Sequence, residues 1–353
     1  MSLDPVALLE RMLSIPSPSG REGKLACYLA EAMAGLGFRA WVDEVGNAVG
    51  ERGEGQVEVV LLGHMDTVQG EIAVRRVGKL LYGRGAVDAK GPLAAFIAAA
   101  SRVDPPRGVK LAIVGAVEEE AATSAGARHI LGRYSPASVV IGEPSGWDRV
   151  TIGYKGRLLL DYHLESDAAH SARDEATVCE RAVNFWLWVR GFADAYGAHQ
   201  PRRFDRVDSA LRRFESGSDG LREWVDMEVA LRLPPGFPVA DFRGPAVEAA
   251  RPAQLGFRGY EPAYRADKNT PLVRAFLAAV RAQGGQPRFS VKMGTSDMNV
   301  VGPVWNCPIV AYGPGDSDLD HTPDEHLDLE EYHRGIAVLE SALSSLMRDL
   351  ASG

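Results

Sequence analysis

Apolar and polar positions follow two styles along the 353 residues. The chain opens on a helical pattern. Asp4 stands in the capping position, Pro5 in the first turn, and Val6, Leu8, Leu9, Met12 and Leu13 form one apolar stripe. Ile15-Pro-Ser-Pro-Ser-Gly20 ends it, and a second helix runs to about Gly35. Short β-branched runs follow at Val57–Leu62, Val109–Val117 and Ala137–Gly142, with helical patterns between them at Gly91–Arg102 and Ser124–Arg133. Strands alternating with helices predict an α/β domain on a mainly parallel sheet.

Near Gly153 the style changes. Gly156–Glu165 alternates like a half-exposed strand, Glu175–Ala195 reads as a long helix, and Glu223–Leu233 alternates again until Pro234-Pro235. Ala240–Ala250 reads as a helix and Ala253–Tyr260 as extended. This β-α-β-α-β block predicts a small antiparallel sheet with helices on one face. After Tyr264 the first style returns, with a helix at Thr270–Gln283, strands near Arg288–Lys292 and Pro308–Tyr312, and a last helix from about Leu329. The reading is one α/β domain, residues 1–154 and 266–353, interrupted by an inserted α+β domain at 155–265.

Composition narrows the class. Hydrophobic residues make up 46% and charged residues 24%, as in soluble globular chains. The apolar runs Pro92–Ala100 and Ala182–Val189 fall well short of the ~20 residues of a membrane helix. The start shows no basic segment leading into an apolar stretch, so no secretory signal is predicted. Cys27, Cys179 and Cys307 form neither a disulfide framework nor a CxxC zinc signature, which predicts a reducing, cytoplasmic setting. A net charge of −8 argues against a nucleic-acid partner.

The chemistry lies in where the acids and histidines fall. Strand 57–62 runs into Gly63-His64-Met65-Asp66, strand 109–117 into Glu118-Glu119-Glu120, strand 137–142 into Glu143-Pro144-Ser145, and strand 308–312 toward Asp316, Asp320 and His321. Asp88 sits in the Gly-rich loop Tyr82–Gly91 that opens a helix. Carboxyl ends of strands in open α/β sheets are where ligands bind. Imidazole with carboxylate and no thiolate suits zinc or another borderline divalent ion, and a pair of ions needs a bridging carboxylate and a shared water. The His64-x-Asp66 spacing lets Asp66 accept from the second imidazole nitrogen of His64. Of the adjacent Glu119 and Glu120, one can bind metal while the other handles protons. Each feature alone has a plainer explanation: a surface histidine, a solvated acidic helix start, a helix cap at Asp88. Their convergence on one sheet edge is what favours a metal hydrolase. A nucleotide enzyme is disfavoured, because Gly83–Gly91 has neither GxGxxG nor GxxxxGK[ST].

Six motifs in order resemble the aminoacylase-like family of dinuclear zinc peptidases. They are Gly63-His64-Met-Asp66-Thr-Val68, Gly83-Arg-Gly-x-x-Asp88-x-Lys-Gly91, Glu118–Glu120 with Gly126 beyond, Gly142-Glu143-Pro144-Ser145, Gly294-Thr-Ser-Asp297, and Asp320-His321-Thr-Pro-Asp-Glu325. The resemblance implies a mainly parallel-sheet zinc-peptidase catalytic domain with an inserted ferredoxin-like lid and dimerisation domain. It implies two divalent ions, zinc with cobalt able to substitute: one on His64, Asp88 and Glu143, the other on Asp88, Glu120 and His321. Glu119 becomes the general base and Asp66 the partner of His64. His170, in Ser166-Asp-Ala-Ala-His170-Ser-Ala-Arg-Asp174, becomes the oxyanion stabiliser, although the family's flanking Gly and Pro are missing.

Within the family the style resembles a deacetylase-like branch that releases lysine, and in some members ornithine, from an amino-group carrier protein. The markers are Ser290–Asn299 and Ala311–His326. A free acyl-amino-acid deacylase or dipeptidase is the alternative. Lys292, Thr295, Ser296 and Asn299 are the candidates for holding the substrate carboxylate, and Asp316, Asp318 or Glu325 for a lysine ammonium. Pro201–Arg213, with five Arg against two Asp, is either a dock for an acidic carrier or a solvated helix face. A homodimer is expected.

Overall fold

The β-branched runs pair side by side, and their register sets the geometry of everything that follows. The computed structural model describes residues 3–168 and 175–352, which form two compact units. The first comprises the chain up to Gly153, Arg265–Val291 and Ser296 onward; the second comprises Tyr154–Tyr264 and Lys292–Thr295.

At the centre of the first unit, strand Val57–His64 lies parallel to both Val109–Ala116 and Ser138–Gly142, and Ile309–Ala311 lies parallel to Ser138–Gly142. Their apolar residues are buried on both faces, as a parallel sheet requires. The margins are antiparallel: Ala48–Arg52 pairs with Val109–Ala116, and Arg39–Val42 pairs with Ala48–Arg52. The sheet is therefore mixed, with a parallel core. The marginal strands and a small sheet of Arg75–Val77, Leu80–Tyr82 and His326–Asp328 are too short for their periodicity to announce them.

Helix Pro5–Leu13 forms as expected, with the Asp4 carboxylate accepting from the N–H groups of Val6 and Ala7. Helix Lys90–Ala100 is buried along its whole length. It lies close over the sheet because Gly63, Gly115 and Gly142 stand next to one another across the three central strands. A Cβ on Gly142 would come within 2.9 Å of the Phe96 ring, and one on Gly115 within 3.3 Å of Leu93.

The second unit has one strand more than the sequence pattern shows. Its order is strand Gly156–Asp167, helix Val178–Gly197, strand Asp208–Ser218, strand Arg222–Leu233, helix Val239–Ala250, strand Gln254–Glu261. The four strands form an antiparallel sheet in which Gly156–Asp167 and Arg222–Leu233 are central. That is the ferredoxin-like βαββαβ arrangement. Alternate residues Leu158, Leu160, Tyr162 and Val225, Met227, Val229, Leu231 bury one sheet face against Phe185 and Val189 of one helix and Phe242 of the other. Phe185→Ala should therefore cost about 3–5 kcal/mol in chemical denaturation. The Arg-rich stretch is not a helix face. It is a turn at Arg203–Asp205 followed by an edge strand whose residues from Ala210 to Ser216 are exposed on both sides. Among the described residues no helix is long and apolar enough to cross a membrane.

Candidate active site

Strand register brings the acids and histidines together. His64 pairs with Ala116, and Gly63 with Gly142, so His64, the Val117–Glu120 turn and Glu143 leave the sheet at one level. Glu118 lies at φ 60, and Glu118–Glu120 form an irregular turn rather than the start of a helix. The turn is held from two sides. Asn47 accepts the Val117 N–H through Oδ1 and donates to the Gly126 carbonyl, while Gly126 N donates to Val117 O. A Cβ at Gly126 would sit 2.3 Å from Asn47 Oδ1 and 2.5 Å from Val117 N. Gly126→Ala should displace this turn, lowering the unfolding midpoint and metal affinity together, as read by calorimetry.

Asp66 supplies the second hold. It is fully buried, and its carboxylate accepts from Ser19 Oγ (2.7 Å), Glu119 N (3.1 Å) and Glu120 N (3.0 Å). It also stands beside His64. His64 Nδ1 lies 3.0 Å from the Asp66 backbone oxygen and 3.4 Å from its carboxylate. The carboxylate thus mainly fixes the backbone of the Glu119–Glu120 pair, which spacing arguments do not reveal.

Two triads result. His64, Asp88 and Glu143 form one, and Asp88, Glu120 and His321 the other; within each, one ligand atom per residue lies within 4.8 Å of the rest. His64 Nε2 is 3.1 Å from Asp88 Oδ1, and His321 Nε2 is 3.1 Å from Asp88 Oδ2 and 2.8 Å from Glu120 Oε1. Asp88 thus gives one oxygen to each side. The Glu119 carboxylate accepts no hydrogen bond from the described residues and feels the charges of His64, Glu143, Asp297 and Glu120.

Electrostatics test whether cations fit. Burial raises Glu143 and Glu119 well above the usual carboxylate range and raises Glu120, and neighbouring carboxylates add to each shift. Hydrogen bonds to Asp88 and Glu120 hold His321 up at about 10. Burial acts to lower His64, but its hydrogen bonds to Asp66 and Asp88 outweigh this and hold it well above its ordinary value. Burial pushes Asp88 up, yet the hydrogen bonds from His321 and His64 win and lower it. Such a crowd of acid oxygens around two imidazoles favours added positive charge. The donor set is nitrogen and oxygen only, with no thiolate, as divalent zinc-type ions accept.

Other expected residues have different work. Ser296 and Asn299 are buried and form the reciprocal cap of helix Asp297–Trp305: Ser296 Oγ accepts from Met298 N at 3.2 Å, and Asn299 Oδ1 from Ser296 N at 3.0 Å. These bonds give both residues a part in the fold. Lys292 and Thr295 belong to the inserted unit, where Thr295 Oγ1 accepts from Arg232 Nη1 at 2.7 Å and donates to Lys155 O at 3.2 Å. Lys90 Nζ is buried and donates to the carbonyls of Met12 and Ile15; burial lowers its pKa to about 8. Asp297, given no role by sequence, is 3% exposed and adds negative charge near Glu119 and Glu143. His170 lies outside the described residues. A third acid and histidine group, Asp43, Glu44 and His129, has its oxygens taken by backbone N–H groups, Asn47 and Arg133, so it reads as surface ion pairing.

A carboxylate shared between two triads, with a fourth acid, Glu119, beside them, defines the class of two-metal hydrolases. The family follows from the whole chain: residues 60–345 match Peptidase family M20/M25/M40, and the chain belongs to it. Over 351 residues it is 47% identical to the "[LysW]-lysine hydrolase" of Deinococcus radiodurans, with 96% of each chain covered. In fold it is similar to the M20 family metallo-carboxypeptidase Sso-CP2 from Sulfolobus solfataricus, with a TM-score of 0.80 at 17% identity over 98% of this chain and 100% of that one. It is also similar to a dinuclear metal binding peptidase of the family from Bacillus subtilis, with a TM-score of 0.71 at 12% identity over 99% and 98%.

Proposed function

We propose that this protein hydrolyses the amide that joins lysine to the terminal glutamate side chain of an amino-group carrier protein, releasing lysine as the last step of carrier-linked biosynthesis. The geometric observation that carries amide hydrolysis is the double use of Asp88, one oxygen toward each triad. The substrate rests on the 47% identity to a relative named for that reaction.

His64, Asp88 and Glu143 would hold one ion, and Asp88, Glu120 and His321 the other. Bound there, the ions would supply Lewis-acid polarisation of the amide carbonyl and a more acidic water. Glu119 takes the proton of the attacking water as its oxygen bonds to the carbonyl carbon. The same carboxyl then delivers that proton to the lysine nitrogen as the carbon–nitrogen bond breaks. Asp66 keeps both glutamates in place through their backbone N–H groups. Asp66→Ala should weaken metal binding about 10–100-fold. His170 is assigned to the oxyanion on its sequence setting alone. Zinc or cobalt as the metal, a cytoplasmic location and a homodimer belong to the same proposal.

The test offers zinc- or cobalt-loaded protein the lysine-bearing carrier, the ornithine-bearing carrier, free Nα-acetyl-lysine and acetyl-ornithine, with release followed by mass spectrometry. Fast release of lysine from the carrier with slow deacetylation supports the reading. Fast deacetylation with an untouched carrier replaces it by a free acyl-amino-acid hydrolase. Steep salt inhibition on the carrier alone would indicate a charged dock, for which the Arg-rich edge strand and its preceding turn are the first place to mutate.

A further inference from the structure

The loop that carries Asp88 is braced by a charged pair. Glu325 is 1% exposed and Arg84 15%. Glu325 Oε1 accepts the backbone N–H of Val87 at 3.0 Å and of Asp88 at 3.1 Å, and Oε2 accepts from Arg84 Nη1 at 2.8 Å. The guanidinium also donates through Nη1 to the Thr322 carbonyl at 3.3 Å and through Nε to the Gly70 carbonyl at 3.0 Å. Glu325 is therefore not placed to receive a lysine ammonium; both of its oxygens are taken within the fold.

Two of these anchor points adjoin the triads. Asp88 is the residue both triads share, and Thr322 follows His321 directly. His321 lies at φ 61, the left-handed region that a residue with a Cβ adopts only when its surroundings hold it there. Buried ion pairs are weak sources of net stability, because desolvation offsets their attraction. The place of this pair matters more than its strength.

We propose that Arg84 and Glu325 are positioning residues that set the spacing of the two metal subsites, Glu325 by fixing the Asp88 backbone and Arg84 by fixing the His321 loop. The inference rests on the two-ion reading above and extends it to residues that touch no ion and no substrate.

The test compares Glu325→Ala, Glu325→Gln and the double variant Arg84→Met/Glu325→Met with the unsubstituted chain. Zinc is titrated into metal-free protein by calorimetry, the unfolding midpoint of the metal-free form is recorded, and kcat and KM are measured at saturating metal. Glu325→Ala is expected to weaken both equivalents of zinc about 10–100-fold. Glu325→Gln keeps an acceptor for the two N–H groups and should recover most of that loss. The apolar double variant leaves no unpaired charge buried and should unfold above Glu325→Ala, though below the original, since the Val87 and Asp88 N–H groups lose their acceptor. It should nevertheless bind zinc as weakly as Glu325→Ala, with the loss at saturation falling on kcat. The proposal is overturned if the folded double variant binds both ions with the original affinity, or if Glu325→Ala lowers stability alone. Should Glu325→Ala fail to fold, the Gln and double variants carry the same comparison. Fewer than two zinc ions on the unsubstituted chain would instead overturn the two-ion reading.

Discussion

Glu119→Ala is expected to retain two bound metal ions and to lose turnover by roughly 10²–10⁴-fold or more, the range a positioned general base contributes. The geometry separates this residue from its neighbour. Glu120 lies 2.8 Å from His321 and shares the triad with Asp88, whereas the Glu119 carboxylate accepts no hydrogen bond from the described residues. Both backbones are pinned by Asp66, so truncating one side chain should leave the other in place. Metal content by mass spectrometry and kcat on the same preparation decide the matter. A variant that keeps near-normal turnover rules out Glu119 as the base, and one that loses a metal makes it a ligand instead.

Asp88→Ala should have the opposite signature, loss of both ions. Because its two oxygens face different triads, removing it would take a proposed ligand from each site at once. His321→Ala and Glu143→Ala would each remove a proposed ligand from one site only. Zinc titration should show both equivalents weakened by more than about 100-fold for Asp88→Ala, beyond the cost of losing an outer partner. The single-site variants should keep one equivalent near its original affinity. If Asp88→Ala still took up one ion as tightly as the unsubstituted chain, the shared-ligand arrangement would be wrong.

Sequence revealed the parallel core because its apolar runs end abruptly in chemistry-bearing residues. Val57–Leu62 stops at His64, Val109–Val117 at Glu118–Glu120, and Ala137–Gly142 at Glu143; once such strands pair in register, those residues must meet. It missed strand Asp208–Ser218 because that strand is exposed on both faces and carries charge on each, so no alternation marks it. Ser296 and Asn299 hid their capping role for a related reason. A polar residue at a helix start serves a ligand or the backbone equally well, and only the structure shows the reciprocal hydrogen bonds to the backbone. Glu325 is the deepest case. Its partner Arg84 lies 241 positions away, and nothing local marks a glutamate as buried.

The row of glycines across the three central strands has a consequence for adapting this enzyme to new substrates. Laboratory selection works by trading side chains of different size around a reacting centre. At Gly63, Gly115 and Gly142 there is no side chain to trade; a Cβ would crowd Leu93 at Gly115 and the Phe96 ring at Gly142, on a helix with no exposed residue, while at Gly63 it would just reach Leu93. Beneficial substitutions should therefore be absent from Gly115 and Gly142 in a library screened for altered specificity and should gather in the surrounding loops. Whatever diversity this scaffold can acquire is set above the sheet, because the floor is already filled by its own backbone.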